Sequence, residues 1–170
     1  TNDLEVTNNA LVLMKLDDWL EDWNSNSAYR KTISGDGGVV LEYAGGSVVA
    51  DLSNISVEDT TLLIQDDTTF TDDTNRSTEL NKATVVVGDQ SSYIPNDPDS
   101  VDPADVQLTA RAYHVDGIPV VGKGSLSLTD LNVSPDVDLS KVGLDTVVFD
   151  LSDSALAELS GTSFAPTTLA

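Results

Sequence analysis

Cysteine is absent from this 170-residue chain, and histidine occurs once, as His114. Without cysteine there are no disulfides and no thiolate ligands, which excludes a small disulfide-stapled scaffold. One histidine cannot supply the three or four nitrogen and sulfur ligands of the usual zinc sites. Cations are scarce as well: 8 Lys and Arg stand against 29 Asp and Glu, for a net charge of −21. The basic residues form no stripe, Arg30 and Lys31 are the one adjacent pair, and the overall field repels phosphate. Sequence-specific nucleic-acid binding is therefore not expected. Apolar runs fall far short of the ~18 residues of a spanning helix, so membrane insertion is not expected either. The numbering opens at Thr1 with no signal-like apolar core, consistent with loss of a presequence or of an initiator Met.

What is abundant is aspartate: 23 Asp to 6 Glu, spread along the whole length. Acid at this density suits a disordered chain, a calcium-loaded protein, or a protein adapted to high salt. The 39% apolar content, arranged in alternating runs, argues against disorder. The even spread argues against a single cation site. At molar salt, self-repulsion is screened within roughly 3 Å, and salt adaptation is the reading we take forward. In dilute buffer the same repulsion destabilises the compact state.

The best-specified stretch runs from Ala104 to Leu131. Val106, Leu108, Ala110 and Ala112 alternate with Gln107, Thr109, Arg111 and Tyr113, the period of two that sends apolar groups to one sheet face. Asp116-Gly117 then suits a tight hairpin turn, and alternation resumes at Leu126 and Leu128. Similar signals predict strands at Val39–Tyr43 and Val48–Leu52 around a Gly45-Gly46 hairpin, at Thr61–Gln65, at Ala83–Gly88 and at Thr146–Leu151, with a short edge strand near Phe70. Leu16, Trp19, Leu20 and Trp23 fall on one helical stripe, so residues 16–24 read as a short amphipathic helix. Seven to nine strands separated by turn signals predict an all-β fold: an antiparallel β-sandwich, jelly-roll or Ig-like, with one short N-terminal helix. No βαβ alternation and no internal repeat is evident. Residues 1–160 read as a single domain, and 161–170 as a C-terminal arm.

Chemistry is hard to find in this pattern. His114 has no G-x-S-x-G nucleophile to serve and reads as a surface or rim histidine. Gly122-Lys123-Gly124-Ser125 lacks the spacing of a phosphate loop and reads as a kink in a strand. Carboxylate pairs such as Asp66-Asp67 and Asp72-Asp73 arise readily among 29 acids, and sugar-stacking aromatics are few, so no hydrolase is expected. Asp97, Asp99 and Asp102, in a proline-rich loop, are the candidate ligands for structural Ca²⁺ or Na⁺, without the glycine and closing glutamate of an EF-hand. No other cofactor is expected. Three N-glycosylation sequons, at Asn54, Asn75 and Asn132, are about what chance gives. Trp19, Trp23 and Phe164 are the candidate interface residues, since Trp is enriched at binding hot spots; the plainer reading has both indoles plugging one end of the core.

The Asp-rich, Lys-poor composition resembles that of haloarchaeal proteins and of their viruses, over the whole chain and without a family motif. In that setting a small β protein lacking an active site looks like a non-enzymatic virion structural protein, such as a jelly-roll capsid subunit. Its implied partners are copies of itself and other virion proteins. The alternatives are an extracellular cell-surface module, because His114–Val120 is similar to turns of bacterial Ig-like repeats, and a tail-tube subunit with an acidic lumen. The charge itself sets one outcome. Thermal unfolding followed by circular dichroism should shift to markedly higher temperature between about 50 mM and about 3 M sodium chloride; equal melting temperatures would remove the salt-adapted reading.

Overall fold

Each strand of this chain turns a corner into a different sheet instead of folding back on its predecessor. A computed structural model describes residues 3–21, 32–88, 106–130, 137–150, 163–164 and 168–169. One face is a three-stranded sheet of β1 (Leu4–Val6), β3 (Ile33–Gly35) and β6 (Ile55–Ser56), in that spatial order. The second face is five-stranded: β2 (Leu11–Lys15), β4 (Gly38–Tyr43), β7 (Asp59–Ile64), β9 (Thr84–Val87) and β11 (Val120–Gly122). The third is six-stranded: β5 (Gly46–Val48), β8 (Thr68–Phe70), β10 (Gln107–Arg111), β12 (Ser125–Thr129), β14 (Thr146–Phe149) and β16 (Thr168–Leu169). β13 (Asp138–Leu139) pairs with β15 (Ser163–Phe164). Every one of these pairings is parallel.

These pairings overturn the antiparallel sandwich, in both its jelly-roll and its Ig-like forms. Parallel neighbours need a long crossover, and here strands in the other faces supply it. The chain passes from β4 to its neighbour β7 by way of β5 and β6. A doubly wound α/β fold would use helices for those crossovers. Among the described residues the helices are only α1 (Leu16–Glu21) and one 3-10 turn, Ala112–Val115. The architecture is a parallel β-solenoid, in which each coil contacts its neighbours above and below. Coils advance unevenly, by 18 residues where Gln107 lies beside Ser125 and by 40 where Thr68 lies beside Leu108. The repeat is one of shape, which is why no sequence period betrays it.

The strands predicted at Val39–Tyr43, Thr61–Gln65, Ala83–Gly88 and Thr146–Leu151 have counterparts in β4, β7, β9 and β14, whereas the one predicted at Val48–Leu52 does not form: β5 takes up Gly46 of the expected turn and ends at Val48. Leu108, Ala110, Leu126 and Leu128 all face the core. What changes is the partner. β10 and β12 are indeed neighbours, with Leu108 beside Leu126 and Ala110 beside Leu128, but they run the same way, and β11 lies between them in sequence on another face. Gly45-Gly46 likewise makes a corner from β4 into β5. Phe70 is buried in β8, an interior strand between β5 and β10 and not an edge.

Stacked coils align like with like. On the second face Met14, Leu41, Leu62, Val85 and Val120 form one inward column. All but Met14 are at most 1% exposed. Such columns bury apolar surface at roughly 25 cal/mol per Å² while the ladder satisfies the backbone between them. Outward on the same face a smaller cluster of Val40, Leu63 and Val86 is also buried. At the first coil, α1 packs on β2 and β4. Its Leu16 and Trp19 enter the main core, and the indole Nε1 donates to the Asp51 carbonyl at 3.3 Å. The helix therefore closes over the core on the side where the six-stranded face begins.

The corners are sterically tight. At Gly122, φ is +116° and an added Cβ would lie 2.4 Å from the Val87 carbonyl oxygen of the coil beneath. That oxygen already accepts from the Lys123 and Gly124 amides, so the segment read as a kink directs its donors to the neighbouring coil. Gly117 also has positive φ, +63°, yet has nothing within 4 Å. Gly122→Ala should therefore destabilise by about 2–4 kcal/mol, through strain and collision together, and Gly117→Ala by about 1–2 kcal/mol, through conformation alone. Thermal melts in high salt should rank the two variants in that order.

Candidate functional site

At one corner of the solenoid, charged groups from three successive coils meet. Asp72 leaves the third face just after β8, Arg111 closes β10, and Asp130 follows β12 with φ of +53°. Because β8, β10 and β12 are stacked neighbours, the parallel register carries all three to the same corner. Arg111 bridges them: Nη1 lies 2.8 Å from Asp72 Oδ2, and Nε lies 2.9 Å from Asp130 Oδ2. The 3-10 turn after β10 then brings in Tyr113 and His114. The Tyr113 hydroxyl donates to Asp72 Oδ2 at 2.5 Å and accepts from Arg111 Nη1 at 2.7 Å. His114 Nε2 sits 3.1 and 3.2 Å from the two Asp72 oxygens, and its ring packs edge-on to Tyr113 with centroids 4.6 Å apart.

Asp72 is also tied to its own loop. Oδ1 accepts the Thr78 amide at 2.8 Å, while the Thr78 hydroxyl donates to the Thr71 carbonyl and accepts from the Ala50 amide. The carboxylate thus fastens residues 71–78, where the chain bulges out of the coil, to the two coils beside it. Burial alone pushes the Asp72 carboxyl up. The hydrogen bonds from Tyr113 and the Thr78 amide, with His114, outweigh burial and hold it below the ordinary range. For His114 burial wins: it drives the imidazole below its ordinary value, although Asp72 pulls the other way. Burial also raises the Tyr113 phenol, with Asp72 adding to the effect.

This arrangement binds itself. The His114 side chain is 0% exposed, so the rim histidine expected from sequence is instead a core residue. With Nε2 donating to Asp72, Nδ1 is left as a buried atom with no partner, consistent with a neutral ring. A general base must reach the proton it abstracts, and neither ring nitrogen faces solvent. Chemically the cluster is a clamp. Nothing in local sequence announces it, since Asp72 and His114 are 42 residues apart; the nearest signal is that the only histidine directly follows Tyr113, two residues past the strand that ends in Arg111.

The residues singled out from sequence are otherwise scattered. Trp19 is 3% exposed within the chain's own core, so its indole plugs the end of the stack and is not offered to a neighbour. Trp23, Asp97, Asp99 and Asp102 lie outside the described residues, as does the side chain of Phe164. The backbone of Phe164 and of Thr168–Leu169, in the segment expected to be an arm, continues the parallel ladders of β13 and β14. Among the described residues no group of three or more His, Asp or Glu is placed to hold a metal ion. Two shallow grooves run along the sheets. One, about 340 Å³, is lined by Ile55, Ser56, Glu58, Thr60, Asn81 and Lys82; the other, about 350 Å³, includes Asn9, Leu11, Asp36, Val40 and Asp59. No family model matches the chain, and neither curated proteins nor solved structures match it.

The clamp has a pH signature. The folded chain holds His114 below its ordinary 6.5, so the unfolded chain takes up the proton first. The stability contributed by the neutral ring is complete above that value and declines as pH falls below it, until the folded histidine is itself protonated. Asp72, held below its ordinary 3.8, adds a second loss at lower pH. Melting curves in constant molar salt should show the first decline in the wild-type chain and not in His114→Gln; identical profiles would contradict it. Asp72→Ala, which orphans several donors at once, should cost about 1–3 kcal/mol.

Proposed function

We propose that this chain is a non-enzymatic structural protein that works in high salt outside the cell, as part of a halophilic virion or of a cell surface, and associates with copies of itself. The clamp is the observation that carries the reading. The one histidine and its carboxylate, the residues best suited to catalysis, are consumed in holding three coils and a bulging loop together. The −21 charge supports the high-salt setting. A stack of coils supports a scaffold or projection, because such a stack lengthens by repetition. The jelly-roll capsid subunit loses its basis with the antiparallel fold. The virion role now rests on composition and the self-association on the stack; the Ig-like form of the cell-surface module falls on the same ground. Under this reading the partners are further copies and neighbouring surface or virion proteins, without sequence-specific nucleic acid, membrane insertion or a cofactor beyond structural Ca²⁺ or Na⁺ at Asp97, Asp99 and Asp102.

Electron microscopy of the purified protein in molar salt should show regular assemblies, and a hydrolase screen in the same buffer should show no turnover. Isolated particles at every concentration would overturn the self-associating role. Turnover abolished by His114→Gln, in a chain that still melts cooperatively, would overturn the non-enzymatic one.

A further inference from the structure

The first coil is unfinished on its outer side. Val12 and Met14 of β2 point inward and pack against the core, yet both are only partly buried. Their column mates Val39, Leu41, Leu62, Val85 and Val120 are at most 1% exposed. Solvent therefore reaches the core's end along β2, the edge strand of the five-stranded face. Three of the four exposed large apolar residues among those described, Leu4, Leu11 and Leu13, lie on this same coil, with Leu11 at 49% and Leu13 at 62%. In a chain of 29 acids, β2 carries none: Leu11, Val12, Leu13, Met14, Lys15. Exposed edges are usually blunted by charge along the strand. Here the single lysine stands at the strand's end, in register with Glu42 of β4.

We propose that β2 is the self-association edge of this protein, pairing antiparallel with β2 of a second copy across a two-fold axis. The inference rests on the self-associating role proposed above and names its surface. A second copy is the occupant that fits the strand's own pattern. A five-residue strand overlaps a copy of itself in full only about its middle residue, Leu13. That register sets Leu13 against the partner's Leu13, and Leu11 against the partner's Lys15, whose aliphatic stem covers apolar surface. No acid then faces an acid across the seam. The same register brings the partner's lysine to the end of β2 that borders the groove containing Asp36 and Asp59. The charge of the seam is thus favourable in a molecule whose surfaces otherwise repel. Pairing also covers Val12 and Met14 and makes the two second faces one continuous sheet, the isologous contact of a closed dimer.

Because the chain has no cysteine, Leu13→Cys gives a direct test. Directly opposed residues in an antiparallel ladder have Cα atoms about 4.5–5.5 Å apart, within disulfide reach. Mild oxidation in about 3 M salt should convert Leu13→Cys to a covalent dimer, while Val148→Cys, also at an exposed apolar position but on β14, should not cross-link. By sedimentation, Leu13→Lys should weaken wild-type association at least about tenfold with an unchanged melting temperature, and Val148→Lys should not. Wild-type association that survives Leu13→Lys, or cross-linking that is equal at both cysteine positions, overturns the edge and leaves self-association standing. A wild-type chain that stays monomeric in high salt at all concentrations overturns both.

Discussion

In-register stacking of parallel strands is the constraint on which the rest of this molecule depends. Each strand finds its hydrogen-bond partners in the coils above and below, so a coil has no stability of its own. The columns through Leu41, Leu62, Val85 and Val120 bind that ladder to the core. The close approach of Gly122 to Val87 shows how little room the corners leave. The same constraint makes the ends special. At one, α1 lays Leu16 and Trp19 over the core, while β2 beside it remains open.

The positions of β4, β7, β9, β10, β12 and β14 were legible in the sequence; their direction was not, and the short strands β1, β3, β6 and β13 gave no signal. Alternation at Leu108 and Ala110, or at Leu126 and Leu128, is the same whether the neighbour runs parallel or antiparallel. Turn residues misled for a physical reason. Gly45, Gly46 and Gly117 have positive φ, which serves a hairpin and a solenoid corner equally well. Coil length varies, from an offset of 18 residues between β10 and β12 to 40 between β8 and β10, and this hid the repeat. The clamp was less legible still. Asp72 looked like one more solvated acid and His114 like a rim residue, because the register that joins them exists only in the folded stack. Trp19 lies buried in the chain's own core.

The acidic surface and the clamp belong to one electrostatic pattern. A net charge of −21 disfavours close approach of carboxylates, yet Asp72 and Asp130 are held at a single corner. Arg111 makes this possible by contacting both, and Tyr113 and His114 complete the shell around Asp72. One cation thus organises three coils in a chain that has few to spend. High salt relieves the diffuse repulsion across the surface but screens a partly buried network far less, so the two contributions respond differently to the same solvent.

The six-stranded face also works as a ruler. Neighbouring strands stand about 4.8 Å apart, so β5 to β16, six strands in one ladder, measure roughly 24 Å along the stacking axis. Height in such a molecule is quantised: a coil gained or lost moves everything beyond it by one strand spacing and turns no side chain to the opposite face. A binding surface carried at one end could be raised or lowered against its base in fixed steps, without redesign of the core between them.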